Sequence, residues 1–235
     1  MSNSEQADAN MYANVFSYLG LPFCDDIKAS TADLAILGLP YDLATSGRAG
    51  ARSGPNAIRQ ASANLRWEKV RWPWTFYLSE HLKAVDCGDV RWQQGNHEDF
   101  VANCEQRASE IIDAGKTLLS FGGDHYVALP LLRSHVKKYG KLALIHFDAH
   151  TDTDEAGWIY DHGAMFHHAR TEGLLDDKRS VQIGIRTWYE RNNHPFTVID
   201  ADMACQHTAA EIAAKICAIV GDGPAYVTFD IDCLD

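Results

Sequence analysis

"LALIHFDAHTDT", residues 142–153, opens as an apolar run and closes on four ionisable side chains, His146, Asp148, His150 and Asp152. The apolar part reads as a buried strand. Unpaired charge inside such a strand would be costly, so the acidic residues belong at its carboxyl end, where the chain leaves the core.

Further strand-like runs lie at "DLAILGLP" (33–40), "LKAVDCGDV" (82–90), "KTLLSFGGDH" (116–125), "SVQIGIR" (180–186), "FTVID" (196–200) and "AYVTFDID" (225–232). Helical patterns with apolar spacing of three to four and a closing glycine fall between several of them: "EDFVANCEQRASEIIDAG" (98–115), "VALPLLRSHVKKYG" (127–140) and "TAAEIAAKICAIVGDG" (208–223). Continuous apolar strands alternating with helices predict an α/β fold, a mostly parallel central sheet covered on both faces as three α/β/α layers. Ligands of such sheets bind beyond the carboxyl ends of the strands. Residues 1–31 read as an N-terminal arm and 32–235 as a single domain.

Composition narrows the function. With 235 residues, 46% of them hydrophobic, the chain can bury one sizeable core. The net charge of −11 argues against nucleic-acid binding and suits a cationic substrate or bound cations. The interleaved stretch "LRWEKVRWPWTF" (65–76) could stack on single strands, but one such patch on an acidic chain reads better as a packed loop or subunit contact. No apolar run approaches the ~20 residues that span a bilayer, and the polar N-terminus predicts no secretory leader. The six cysteines are scattered without a CxxC pair, the pattern of reduced thiols in a cytoplasmic protein.

Three polar clusters end strands: "GGDH" (122–125), "HFDAHTD" (146–152) and "TFDID" (228–232). Residues two apart share one face of an extended chain, so Asp148 pairs with His150, and Asp230 with Asp232. Four carboxylates at 148, 152, 230 and 232 could not stay ionised together without counter-charge. Two divalent cations cancel them, and six ligands, adding His125 and His150, serve two metals if Asp148 and Asp230 bridge. Oxygen and imidazole without thiolate favour Mn²⁺, with Zn²⁺, Co²⁺ and Fe²⁺ still open. His146, within the strand, reads as a supporting residue rather than a ligand.

These motifs, in this order and spacing, closely resemble the ureohydrolase family of arginases, agmatinases and relatives. The resemblance covers nearly the whole chain, and the agmatinase branch is the most similar: "GLPYDLATSGRAGARSGPNAIRQASANLRWE" (38–68) matches its N-terminal loop, except that Arg52-Ser53-Gly54-Pro55 stands where "RHGP" is usual. It implies two Mn²⁺ ions. His125, Asp148, Asp152 and Asp230 would hold one, and Asp148, His150, Asp230 and Asp232 the other. It also implies that Asp152 orients the nucleophile, and that His162, in "YDHGAMF" (160–166), stands beside the substrate as a proton shuttle. Arginases place an Asn toward the substrate carboxylate where this chain has Asp154, a side chain suited to an amine tail.

The implied reaction is hydrolysis of agmatine to urea and putrescine by a homo-oligomer, trimer or hexamer. In the family, further strands and helices follow, with a guanidinium-binding Glu; the chain is therefore expected to be incomplete beyond Asp235. The rivals are another guanidino or amidino hydrolase (a guanidinobutyrase, an arginase), a one-zinc deacetylase-like enzyme of similar architecture, and an inactive metal-binding fragment.

Overall fold

The structure, a computed structural model, describes residues 16–67, 70 and 73–234. Part of the basic-aromatic stretch (68, 69, 71 and 72) and the first fifteen residues of the expected arm lie outside them. The chain divides into two units, Met1–Leu43 with Gly47–Val127, and Ala44–Ser46 with Ala128–Asp235.

The first unit carries a parallel sheet in the order β2-β1-β3, from β1 (Leu34–Leu39), β2 (Ala84–Asp89) and β3 (Thr117–Gly122). Central β1 is apolar on both faces and is buried from Ala35 onward, as a covered parallel strand must be. Among the described residues three helices accompany it: α1 (Gly54–Ser62), α2 (Leu78–His81) and α3 (His97–Asp113). The α3 start is capped by Asn96, whose Oδ1 accepts from Asp99 N at 3.0 Å. Gly123 follows β3 against the turn at Tyr41: its N–H donates to Leu39 O at 2.9 Å, and a Cβ there would collide with the Tyr41 carbonyl. The second glycine of "GGDH" is thus demanded by packing.

An ion cluster sits in this unit. The Arg59 guanidinium, on α1, grips Asp86 through Nε (2.8 Å) and Nη2 (2.9 Å) and Asp89 through Nη1 (2.5 Å). Arg59 and Asp86 are buried. Asp86 also accepts from the backbone N–H groups of Tyr18 and Gly88, each at 2.9 Å. Two far-apart segments are thereby tied to the edge of β2.

The second unit carries a parallel sheet in the order β6-β5-β4-β7, from β4 (Ala143–Phe147), β5 (Val181–Ile185), β6 (Thr197–Asp200) and β7 (Ala225–Phe229). Its helices are α4 (Ala128–Tyr139), α5 (Met165–Thr171), α6 (Ala201–Gln206) and α7 (Ala209–Val220). One core joins Ala143, Val181, Ile183, Ile199 and Val220, with Ile212, Ile216 and Ile219 of α7 packed against it. A capping box holds the α7 start, Thr208 Oγ1 accepting from Glu211 N while the Glu211 carboxylate accepts from Thr208 N.

The α/β alternation and the parallel strands are those expected. The described strands hydrogen-bond as two parallel sheets, one in each unit. No helix among the described residues is long and apolar enough to cross a membrane.

Replacing Arg59 by Met should strand the buried Asp86 carboxylate and destabilise the protein by about 3–5 kcal/mol. Chemical denaturation of the wild type and Arg59→Met measures it. A difference under about 1 kcal/mol would show that the cluster contributes no more than a surface pair.

Candidate metal centre

The site in the second unit grows from strand register. Strands β4 and β7 are parallel neighbours with Phe147 opposite Phe229. Each chain then leaves its strand through an aspartate, Asp148 and Asp230, at the same level. Asp230 N–H donates to Phe147 O at 2.8 Å, and Asp148 N–H to Ile183 O, on β5, at 3.0 Å. Both backbones are therefore fixed where the sheet ends.

Beyond the strand ends, the two turns fold onto each other. Asp232 Oδ1 accepts from Ala149 N at 3.1 Å. His150 Nδ1 lies 3.0 Å from Asp232 Oδ2 and 3.4 Å from Asp148 Oδ1. Asp148, His150 and Asp232 each offer a ligand atom within 4.8 Å of the others, and Asp152 comes equally close to Asp148. Arg186 ties the arrangement together, donating to the carbonyls of Asp232 and Cys233 while Arg186 N donates to Ala149 O at 3.0 Å.

Two backbone positions carry unusual conformations here. Asp152 has φ of 52°, the left-handed region that costs a non-glycine residue, and its carbonyl accepts from Phe166 N at 3.1 Å in the first turn of α5. Gly184 has φ of 92°, and a Cβ on it would sit 3.2 Å from the Asp148 carbonyl. Glycine at 184 lets β5 run closely under the acidic turn.

The electrostatics fit a cation. Burial, opposed by the Ala149 N–H bond, raises the Asp232 carboxyl above its ordinary value, and the charges of Asp148 and Asp230 push it further up. A divalent ion among these oxygens would reverse that penalty, and the oxygen and imidazole donors suit a hard or borderline metal.

His125 stands in the first unit, in the turn His125–Val127 after β3. Asp230 joins neither cluster among the described residues; its Oδ1 accepts from Asp232 N at 3.1 Å, closing the turn. Asp154 is exposed, and its Oδ1 accepts from Ala156 N at 2.9 Å. His162 is half-buried, with Nε2 3.4 Å from Ser46 N and 3.1 Å from Ser46 Oγ. A backbone N–H can only donate, so Nε2 accepts and the neutral ring carries its proton on Nδ1.

The sequence reading missed Ser46, which lies 116 positions from His162. It also missed Gln182 and His194, which stand behind His146. A lone Ser in a glycine-rich loop and a Gln inside a strand carry no motif. The only available signal was Gln182 itself, an amide in an otherwise apolar run.

A family model described as the arginase family matches residues 32–235. The chain is 52% identical over 228 residues to an agmatinase of Sodalis glossinidius (strain morsitans), covering 97% of this chain and 74% of that one. It superposes with a TM-score of 0.88 and 42% identity on the crystal structure of a hypothetical agmatinase from Burkholderia thailandensis, over 96% of this chain and 71% of that chain. The proclavaminate amidino hydrolase of Streptomyces clavuligerus gives a TM-score of 0.86 at 32% identity, over 94% and 75%. Acidic strand ends in register, a family match over nearly all of the chain and identity above half converge: the chain belongs to the arginase family.

Proposed function

We propose that the protein is an agmatinase, hydrolysing agmatine to urea and putrescine at a dinuclear manganese centre. The observation that carries this reading is the pairing of two D-x-(H/D) turns at adjacent strand ends, with His150 Nδ1 3.0 Å from Asp232 Oδ2. The names of the relatives support agmatine as the substrate. The amidino hydrolase among the neighbours makes another guanidino substrate the alternative.

Asp148, His150, Asp152 and Asp232 would hold the metals, joined by Asp230, proposed from its register with Asp148, and His125, proposed from its motif. When bound, such a metal pair supplies Lewis-acid charge and lowers the pKa of water enough to give hydroxide near neutral pH. Asp152 would orient the nucleophile. His162, whose ring stands on the Ser46 hydrogen bond, would act as the proton shuttle: it would take up a proton from solvent to become the imidazolium, pass a proton to the departing amine and return to the neutral ring. An amine leaves as a neutral molecule only if a proton arrives, so this transfer is essential to C–N cleavage. Asp154 would attract the distal ammonium of the substrate. A cytoplasmic homo-oligomer, trimer or hexamer, completes the proposal.

With Mn²⁺ and a panel of agmatine, 4-guanidinobutyrate and arginine, the protein should release urea fastest from agmatine. Asp148→Ala should reduce release to background. A preference for another substrate replaces the agmatine reading, and urea release that persists in Asp148→Ala overturns the ligand assignment.

Asp154 makes a separate prediction. A charge pair at ~4 Å in water is worth about 1 kcal/mol, so Asp154→Asn should lower the preference for agmatine over arginine roughly fivefold. An unchanged ratio of kcat/KM values removes Asp154 from substrate selection.

A further inference from the structure

Strands β4 and β5 pair with His146 opposite Gln182, which places two polar side chains side by side inside the core. Both are fully buried, as is Asp148. Their hydrogen bonds can be assigned from one fixed point. Gln182 Nε2 lies 2.7 Å from Thr151 O, a carbonyl that can only accept, so this end of the amide is the NH₂ group. Its second hydrogen goes to His146 Nδ1 at 2.8 Å. That ring nitrogen therefore accepts, and the ring carries its proton on Nε2, donated to Asp148 Oδ2 at 2.8 Å. At the other end, Gln182 Oε1 accepts from His194 Nε2 at 2.6 Å.

The His194 ring is set by Tyr189 and Phe196, with centroids 4.9 and 5.9 Å away, and the His146 ring lies 4.6 Å from that of Phe166. The other Asp148 oxygen accepts from His150 N at 2.6 Å. Both carboxylate oxygens of Asp148 are thereby held by donors, one local and one at the end of a three-bond chain.

We propose that His194, Gln182 and His146 form a positioning relay that fixes the orientation of the Asp148 carboxylate for metal binding. The inference rests on the two-metal reading. His146 lies within reach of the metal cluster, yet it is a donor to Asp148 and not a ligand: one nitrogen bears the proton and the other accepts from Gln182. Partners behind a ligand set its direction and basicity, and their loss weakens metal binding by about 10–100-fold.

The test is a titration of the metal-free protein with Mn²⁺ alone, read by calorimetry for affinity and stoichiometry, with thermal unfolding in chelator as a folding control. His146→Phe keeps the ring and removes the donor; His146→Gln restores an N–H near the position of Nε2. Gln182→Leu cuts the relay in the middle, and His194→Phe cuts it at its half-buried end, where folding is least at risk. His146→Phe, Gln182→Leu and His194→Phe should each bind two ions with affinity lowered about 10–100-fold, and His146→Gln should stay near the wild type.

Affinities within threefold of the wild type in His146→Phe and His194→Phe would overturn the relay. So would the loss of one bound ion in both His146 variants, which would make His146 a ligand. A wild type that binds fewer than two ions refutes the two-metal reading instead, and the two failures are told apart by that measurement alone.

Discussion

The site of the second unit depends on one pairing, the parallel register of β4 with β7. In a parallel pair, residues opposite each other stay level along the whole ladder, and both strands end on the same side. With Phe147 opposite Phe229, Asp148 and Asp230 leave the sheet together. A slip of one residue would turn one acidic residue to the opposite face, because side chains alternate along a strand. The aromatic pair supports the register, with ring centroids of Phe147 and Phe229 5.9 Å apart. The same residues that pack the strand ends thus decide which carboxylates meet.

Gathering carboxylates is unfavourable in itself, and the fold supplies donors against it. Asp148 accepts from His146 and His150, Asp232 from Ala149, and Asp230 from Asp232. These bonds orient the oxygens, but they do not neutralise them, and the Asp232 carboxyl stays raised, first by burial and then by the charges of Asp148 and Asp230. A cation removes what the hydrogen bonds leave. Metal binding should therefore be coupled to the protonation of this turn.

Much of this was legible in the sequence because parallel strands advertise themselves. Each of the seven apolar runs forms a strand, and the polar residues just past "LIHF" and "YVTF" stand at strand ends. Helices α3, α4 and α7, with long apolar periods and closing glycines, were legible for the same reason. The four other helices among the described residues were missed: α2, α5 and α6 span seven residues or fewer, and α1 opens on Gly-Pro inside what reads as a loop. Chain spacing also hides partnership. Gln182 is 36 positions from His146, and only the β4–β5 register makes them neighbours. The ion cluster of Arg59 was invisible for that reason too, since an Arg on a helix face reads as solvent-exposed until its acidic partners are known.

The buried polar row from Gln182 to Asp148 argues for function by its cost. Central strands of a covered parallel sheet are ordinarily apolar on both faces, and β4 and β5 are apolar except at His146 and Gln182. Well-packed hydrophobic residues there would serve stability as well or better, because buried polar groups recover little beyond their lost hydration. Once one member is present, however, each of the others becomes necessary. Removing Gln182 would leave the Thr151 carbonyl and His146 Nδ1 without that donor, and removing His146 would take a donor from Asp148. A half-satisfied chain is worse than an apolar core, so the row stands or falls as a unit. It meets the acidic turn at the Thr151 carbonyl and at Asp148 Oδ2, and of these two the Asp148 carboxylate is the proposed ligand. The orientation of that single carboxylate is what the row achieves.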